Sequence, residues 1–419
     1  MFVFITRYKM NFKKILILAS LALCSLSAFS KEKAPYRAEI QEKVKLNKYN
    51  RQLGYQLING GETVAFVFDA GTWKIERPLR VFISGSFNNW AKKSGTWEMA
   101  KIKDTFFMLE VPKIDLLIPG DSGHPEFKFI VTAEIPYKET VCGKELVRYK
   151  SEVIELDAVS GIPGYRLLGK NIILFPEDNP ESIAEAEKII SKAKKLKEFD
   201  LSKDEDRAAI ANFRLVPKTT ALYRGYHPYK ISNPKLDTEK TRIDFVRQFL
   251  LEKGIKTIIT LSGDETLEEG KEQLPVFITD IRRNKSQLFL DPKFNMYSST
   301  ENRDFGNMIA EIVRYINSHE GPYYIHGRTG IDRTGVASAI LASFCGASWK
   351  EIEADYVKSN ELKIREYRNS GLLKYTLEKI TGTQITDETN LQKEISQFFI
   401  DRKFLTKQEI DLVVEKLNP

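Results

Sequence analysis

The chain has 419 residues, 29% of them charged and 42% hydrophobic, a length that calls for more than one core and a composition that excludes wholesale disorder. Its formal net charge is +7, but no compact Arg/Lys stripe with interleaved aromatics carries that charge, so no nucleic-acid partner is expected. Four histidines and three cysteines, without paired Cys/His spacing, suggest no metal site and no disulfide framework.

At the N-terminus, Arg7, Lys9, Lys13 and Lys14 precede the apolar run "ILILASLALCSLSAF", and "AFS" before Lys31 supplies small residues for cleavage. Residues 1–30 therefore read as an export signal, too short for a comfortable membrane span, and the mature protein is expected outside the cytoplasm. A membrane partner follows only if the signal stays uncleaved. Lipid modification of Cys24 is not expected, because Leu23 is large where such signals want a small residue. Without the signal 60 Lys+Arg face 57 Asp+Glu, so most of the basic charge leaves with it. Cys142 and Cys345 remain, expected as separate thiols.

Residues 60–175 are β-rich. "TVAFVFDA", "LRVFISGSF", "TFFMLEVP" and "EFKFIVTA" are short apolar or alternating runs separated by Gly, Pro and Asn turns, the pattern of a β-sandwich. "SGSFNNW" followed by the strand ending in "FKF" resembles the glycogen-binding module of AMP-activated kinase β subunits and starch-branching enzymes. The resemblance implies an immunoglobulin-like sandwich in which Trp90 stacks on a glucose ring and Lys128 bonds sugar hydroxyls of an α-glucan. The second sugar-stacking Trp of that family is missing from "VTAEIPYKETVCG", where Tyr137 is the one substitute. An exposed indole in a turn offers a flat apolar face at little entropic cost; the alternative is a Trp90 packed at the sandwich edge and a solvated Lys128.

Next, Asn179 caps a helix with Pro180 at its first position. Ile183, Ala186, Ile189, Ile190, Ala193 and Leu196 keep helical spacing, which predicts a charged connecting helix over 179–200. From 210 to 382 strands and helices alternate, an α/β domain. Asp237 is expected to cap a helix that runs to about Lys253 and stops at Gly254, with "IKTIITL" as the buried strand after it. Ser298 with Glu301 reads as a capping box opening a helix whose inner face is Phe305, Met308, Ile309, Ile312, Val313 and Ile316.

"YYIHGRTGIDRTGVASAI" then reads as strand, loop and helix, with the loop at the strand's carboxyl end, where such domains bind ligands. A nucleotide-binding GxxxxGK[ST] loop is excluded, because Val336 stands where the phosphate lysine must be. The alternative signature is HCxxGxxR[ST]G: His326, Gly330, Arg333, Thr334 and Gly335 match, and Gly327 stands at the cysteine. "NFRLVPKTTALYRGYHPY" upstream and "IEADYVKSNEL" downstream resemble the flanking motifs of bacterial dual- and triple-specificity phosphatases. The region is similar to the cysteine-dependent tyrosine phosphatases, and its pairing with a glucan module resembles the architecture of glucan phosphatases.

That resemblance implies a phosphate site formed by Arg328, Thr329, Gly330, Ile331, Asp332, Arg333 and Thr334. Inward backbone amides and the helix N-terminus would bind a dianion, and Arg333 would engage two of its oxygens. In active relatives His326 and Thr334 lower the thiol's pKa, but Gly327 has no side chain to attack phosphorus. Cys345, ten residues past Gly335, is about 15 Å along the helix and out of reach. For the general acid, "FNMYSSTENRDF" offers nothing before Glu301; Asp332 is either a relict acid or a tether for the loop. The expected protein is an exported pseudophosphatase that binds a phosphorylated ligand or glucan, without a cofactor. The alternatives are an active phosphatase acting on phosphate monoesters and a ligand-free scaffold. Residues 385–419 read as two short amphipathic helices packed on the core.

Overall fold

The computed structural model describes residues 54–142, 144–157, 167–168, 170–263 and 274–419. The export-signal reading, with Cys24, lies outside the described residues. Among the described residues, no helix is long and apolar enough to cross a membrane, and no cluster of metal-ligating side chains is present.

The N-terminal part forms two antiparallel sheets. One has the order Tyr55–Ile58, Thr63–Asp69, Phe106–Pro112, Ala100–Lys103; the other runs Pro78–Gly85, Glu126–Val141, Asn171–Ile173, Leu167–Leu168, with Lys144–Leu156 also paired to Glu126–Val141. Alternation puts Val64, Phe66 and Phe68 of one sheet against Val81, Ile83, Phe127, Phe129 and Val131 of the other in one apolar cluster. The hairpin Glu126–Val141/Lys144–Leu156 extends beyond that core, and Tyr137 stands exposed on it.

The C-terminal part is an α/β domain around a five-stranded sheet. Tyr323–His326 is central, with Leu222–Gly225 and Thr257–Thr260 parallel on either side and Arg214–Leu215 and Gln287–Phe289 at the edges. Its side chains alternate as a strand requires. Tyr323 and Ile325 enter one apolar cluster with the helices Arg303–Ser318 and Asp332–Phe344, and Tyr324 enters a second with the helix Glu239–Glu252. The helices Leu391–Asp401 and Lys407–Leu417 bury Ile395, Phe399, Ile410 and Val413 in the first of these clusters.

Three local expectations are corrected. The helix capped by Asn179 spans Pro180–Ser191 and ends there, because Lys192 is extended and Lys194 N–H donates instead to the Lys363 carbonyl, 2.9 Å away. Ala193 and Leu196 therefore lie beyond it. Asp237 does not cap the helix Glu239–Glu252; its carboxylate accepts from Leu196 N at 3.3 Å, while Gly254 does take the left-handed exit with φ +60°. The helix carrying Phe305 to Ile316 starts at Arg303 with Asn302 as its cap, and the Ser298 hydroxyl bonds instead to the Asn89 side chain of the N-terminal part.

The helix Pro180–Ser191 joins the two parts. Ile183, Ala186 and Ile189 are buried with Ile173 of the last N-terminal strand and Tyr367 of the α/β domain.

Candidate functional site

Residues 327–331 leave the central strand and lead into the helix Asp332–Phe344. Three donors from outside hold the loop by its carbonyls: His227 N to Arg328 O at 3.2 Å, Asn212 Nδ2 to Thr329 O at 2.9 Å, and Arg224 Nη2 to Gly330 O at 2.7 Å. In a planar trans peptide the N–H points opposite to the C=O, so the amides of Thr329, Gly330 and Ile331 face the inner side. Gly330 makes this possible. Its φ is +76°, and a Cβ there would meet the Gly225 carbonyl oxygen at 2.2 Å.

Beneath the loop, the flanking motifs meet. Arg224 is fully buried and pairs with Asp355; Arg214 donates to Asp355 Oδ1 at 2.6 Å and to Ser359 Oγ at 2.9 Å. Burial pushes the Asp355 carboxyl up, but Arg224 and Arg214 more than reverse this and hold it below the ordinary carboxylate value. "NFR", "LYR" and "DYVKSN" thus supply one buried frame, two arginines about one carboxylate, which positions the loop.

His326 is buried, with Nδ1 at 3.0 Å from the Gly327 carbonyl and Nε2 at 3.0 Å from Thr260 Oγ1. The carbonyl can only accept, so Nδ1 carries the proton. Gln287 Nε2 donates to Thr260 Oγ1 at 3.0 Å, which frees that hydroxyl's proton for Nε2. The Thr334 hydroxyl is buried, without a hydrogen-bond partner among the described residues. A Cβ at Gly327 would meet only this Oγ1, at 3.3 Å, and the glycine's φ lies outside the left-handed range. The backbone at 327 is therefore one that cysteine can share. Cys345 sits at the far end of the helix, and burial pushes its thiol up to about 11.

Arg333 has a side chain 34% exposed. Its Nη1 donates to Leu261 O at 2.8 Å and its Nη2 to Pro292 O at 3.0 Å, with Asp291 Oδ1 at 3.6 Å. Five N–H donors are available on a guanidinium, so these bonds orient the fork and leave donors over. Asp291 lies upstream of "FNMYSSTENRDF", the stretch expected to hold an acid. The signal was present: "LFLDP" places an Asp two residues past the edge strand, at the carboxyl end of the sheet.

Asp332 accepts from Arg368 Nε at 2.7 Å and Nη2 at 3.1 Å, and from the Tyr297 hydroxyl at 2.7 Å. Burial pushes its carboxyl up, but Arg368 and Tyr297 outweigh that and hold it below the ordinary value. Arg368, 14% exposed, also donates Nη1 to Asp121 Oδ2 at 2.8 Å, so one arginine ties the loop to the N-terminal sheets.

Two depressions meet at Asp332, Arg333 and Arg368. One, of about 350 Å³, is lined by residues 327–334 with Glu366 and Arg368. The other, of about 260 Å³, lies between the two parts and brings Trp90 and Asp121 to Phe294, Met296 and Tyr297 beside Arg333. Trp90 is half-buried at φ +56°, with Lys128 Nζ at 5.8 Å from its ring centroid. Lys128 is 11% exposed and paired with Glu155 at 2.8 Å. Tyr137 is not among the residues lining either depression.

Residues 247–403 match the tyrosine phosphatase family. The match includes Asp291, the whole loop from His326 to Gly335 and the Asp355–Ser359 frame, so the α/β part carries a phosphatase-family domain. The curated proteins contain no match. Among solved structures, the core catalytic domain of the PP-IP phosphatase SIW14 from S. cerevisiae in complex with citrate is similar at 17% identity, over 46% of this chain and 94% of that one, with a TM-score of 0.26. A second structure, of the Siw14 catalytic core, gives the same values.

Proposed function

We propose that this chain is an exported pseudophosphatase: its loop holds the phosphate of a phosphorylated ligand, and no covalent turnover follows. The observation that carries the reading is Gly327, a position without a side chain in a loop whose inward amides, Arg333 and Thr334 are in place. Phosphocysteine chemistry needs an atom that can attack phosphorus. In this reading Asp332, committed to Arg368 and Tyr297, tethers the loop and does not donate protons.

We also read the N-terminal sheets as an immunoglobulin-like glucan-binding module. In support, Trp90 and Lys128 lie together, and Trp90 lines the same depression as Arg333. A glucan ring on Trp90 and a phosphate in the loop would then occupy neighbouring sites.

The test measures turnover and binding on the same purified protein. The melting temperature is expected to rise with phosphate, as RT ln(1 + [L]/Kd) requires of a ligand bound only by the folded state, and aryl phosphates are expected to stay intact. Hydrolysis that disappears in Arg333→Ala would overturn the pseudophosphatase reading. The active alternative has one observation in its favour: a Cβ at Gly327 would meet only Thr334 Oγ1, so the position has room for a cysteine.

A further inference from the structure

The cavity in front of the loop has a second wall. Glu366 and Arg368 face residues 327–334 across it, both carried by the segment 363–369. That segment is fixed at several points: Asn360 Nδ2 donates to Arg368 O at 3.0 Å, Arg368 N donates to Asn360 Oδ1 at 2.9 Å, and Asn369 N donates to Asp121 O at 2.7 Å. Lys363 and Arg365 both have positive φ, +49° and +66°, a cost that a side-chain-bearing residue bears only where surrounding bonds enforce it.

On this wall the cation is already spent. Arg368 is neutralised by Asp332 and Asp121. Glu366 comes no nearer to it than 3.8 Å, and among the described residues no donor lies within hydrogen-bond distance of the Glu366 carboxylate. Its side chain is 34% exposed, with acceptor lone pairs open to the cavity. Burial pushes this carboxyl above its ordinary value, opposed first by Arg368 and reinforced by Asp332 and Asp121.

An anion site faced by an uncommitted carboxylate is not built for a densely charged ligand. A second phosphate beside the bound one would meet Glu366 as a like charge, whereas a hydroxyl in the same place would be an ordinary donor. We propose that Glu366 is a specificity-determining residue: it accepts hydrogen bonds from hydroxyls adjacent to the bound phosphoester, and so selects singly phosphorylated sugars or polyols over multiply phosphorylated ones. This rests on the reading that the loop binds a phosphoester.

The experiment titrates the full chain and Glu366→Gln calorimetrically with inorganic phosphate, glucose 6-phosphate and inositol hexakisphosphate. Like-charge repulsion at close range in a partly buried site is worth about tenfold or more, so the native chain is expected to favour glucose 6-phosphate over the hexakisphosphate by about that factor. Glu366→Gln, unchanged in melting temperature without ligand, is expected to lose most of this preference, chiefly by tighter hexakisphosphate binding. A native chain that prefers the hexakisphosphate overturns the proposal. So does a Glu366→Gln protein whose affinities for both ligands shift equally or not at all while inorganic phosphate still binds. If inorganic phosphate fails to bind the native chain, the phosphoester reading falls first and this one with it.

Discussion

The loop at 327–331 and the Trp90 turn are held in different ways. The backbone of the turn is closed by its own neighbours, with one distant bond, from the Ser298 hydroxyl to the Asn89 side chain: Trp90 N donates to Gly85 O at 2.9 Å, and the Asn88 side chain accepts from Gly85 N and donates to Ile83 O, each at 2.9 Å. Asn89 and Trp90 both sit left-handed, at φ +57° and +56°. The loop is held by residues up to 117 positions away, as in Asn212 to Thr329. The proposed stacking platform needs only one ring fixed in place, for which a locally bonded backbone is enough. A dianion site needs several amides to converge, which takes a frame gathered from distant parts of the chain.

If that contrast is sound, damage to the frame should cost far more than damage to the turn. Gly330→Ala is the severest case, because left-handed φ and a 2.2 Å clash with Gly225 coincide; a loss of about 3–5 kcal/mol in urea unfolding is expected. A loss under about 1 kcal/mol would show that the loop relaxes freely. Arg224→Met leaves Asp355 with one cation fewer and is expected to cost roughly 3 kcal/mol. Arg224→Lys should rescue little of this, since an ammonium cannot span Asp355 and Gly330 O as the fork does.

The end of the N-terminal sheets beneath the Trp90 turn should respond to pH. Glu126 is buried, with its backbone N–H on Ser86 Oγ at 3.2 Å, and burial together with Asp121 pushes its carboxyl up to about 8. Between the ordinary carboxylate range and that value the folded state keeps a proton that the unfolded chain has released, so stability falls as pH rises from 5 to 8. The slope is on the order of 1 kcal/mol per pH unit at most. Thermal scans of Glu126→Gln should be flatter over this window; an unchanged slope assigns the effect elsewhere.

Trp90→Ala is expected to cost only about 1 kcal/mol, since alanine inherits the left-handed backbone while some apolar contact is lost. Retention on glycogen should nevertheless vanish, and retention unchanged by the substitution would remove Trp90 from any sugar site. Smallest in stability is Gly327→Cys, expected within about 0.5 kcal/mol of the native chain, because its Cβ meets only the Thr334 hydroxyl. Aryl-phosphate turnover, absent before, should appear; an inert, folded Gly327→Cys with intact phosphate binding would mean that more than the nucleophile is missing.

What the sequence disclosed and what it hid divide along the same line. Periodicity and loop spacing gave the strand, loop and helix at 323–344, and the inner face Phe305 to Ile316 is buried as expected. Partners chosen by tertiary contact were not legible. Ser298 looks like a cap but bonds to Asn89 of the other part, and Leu196 keeps helical spacing yet lies past a helix that ends at Ser191. The bridge from Asp332 through Arg368 to Asp121 spans 247 positions in its longer arm and leaves no local pattern. Asp291 was legible in principle, because an acid two residues past a strand end needs no distant partner to be noticed.

The helix Pro180–Ser191 is both the tether between the two parts and the apolar material that fills the gap between them, through Ile183, Ala186 and Ile189. Connection and adhesion therefore do not depend on the same bonds. A protease that cuts the exposed, lysine-rich stretch just after this helix would break the chain without parting the fragments, and the nicked protein would still elute as one body from a sizing column.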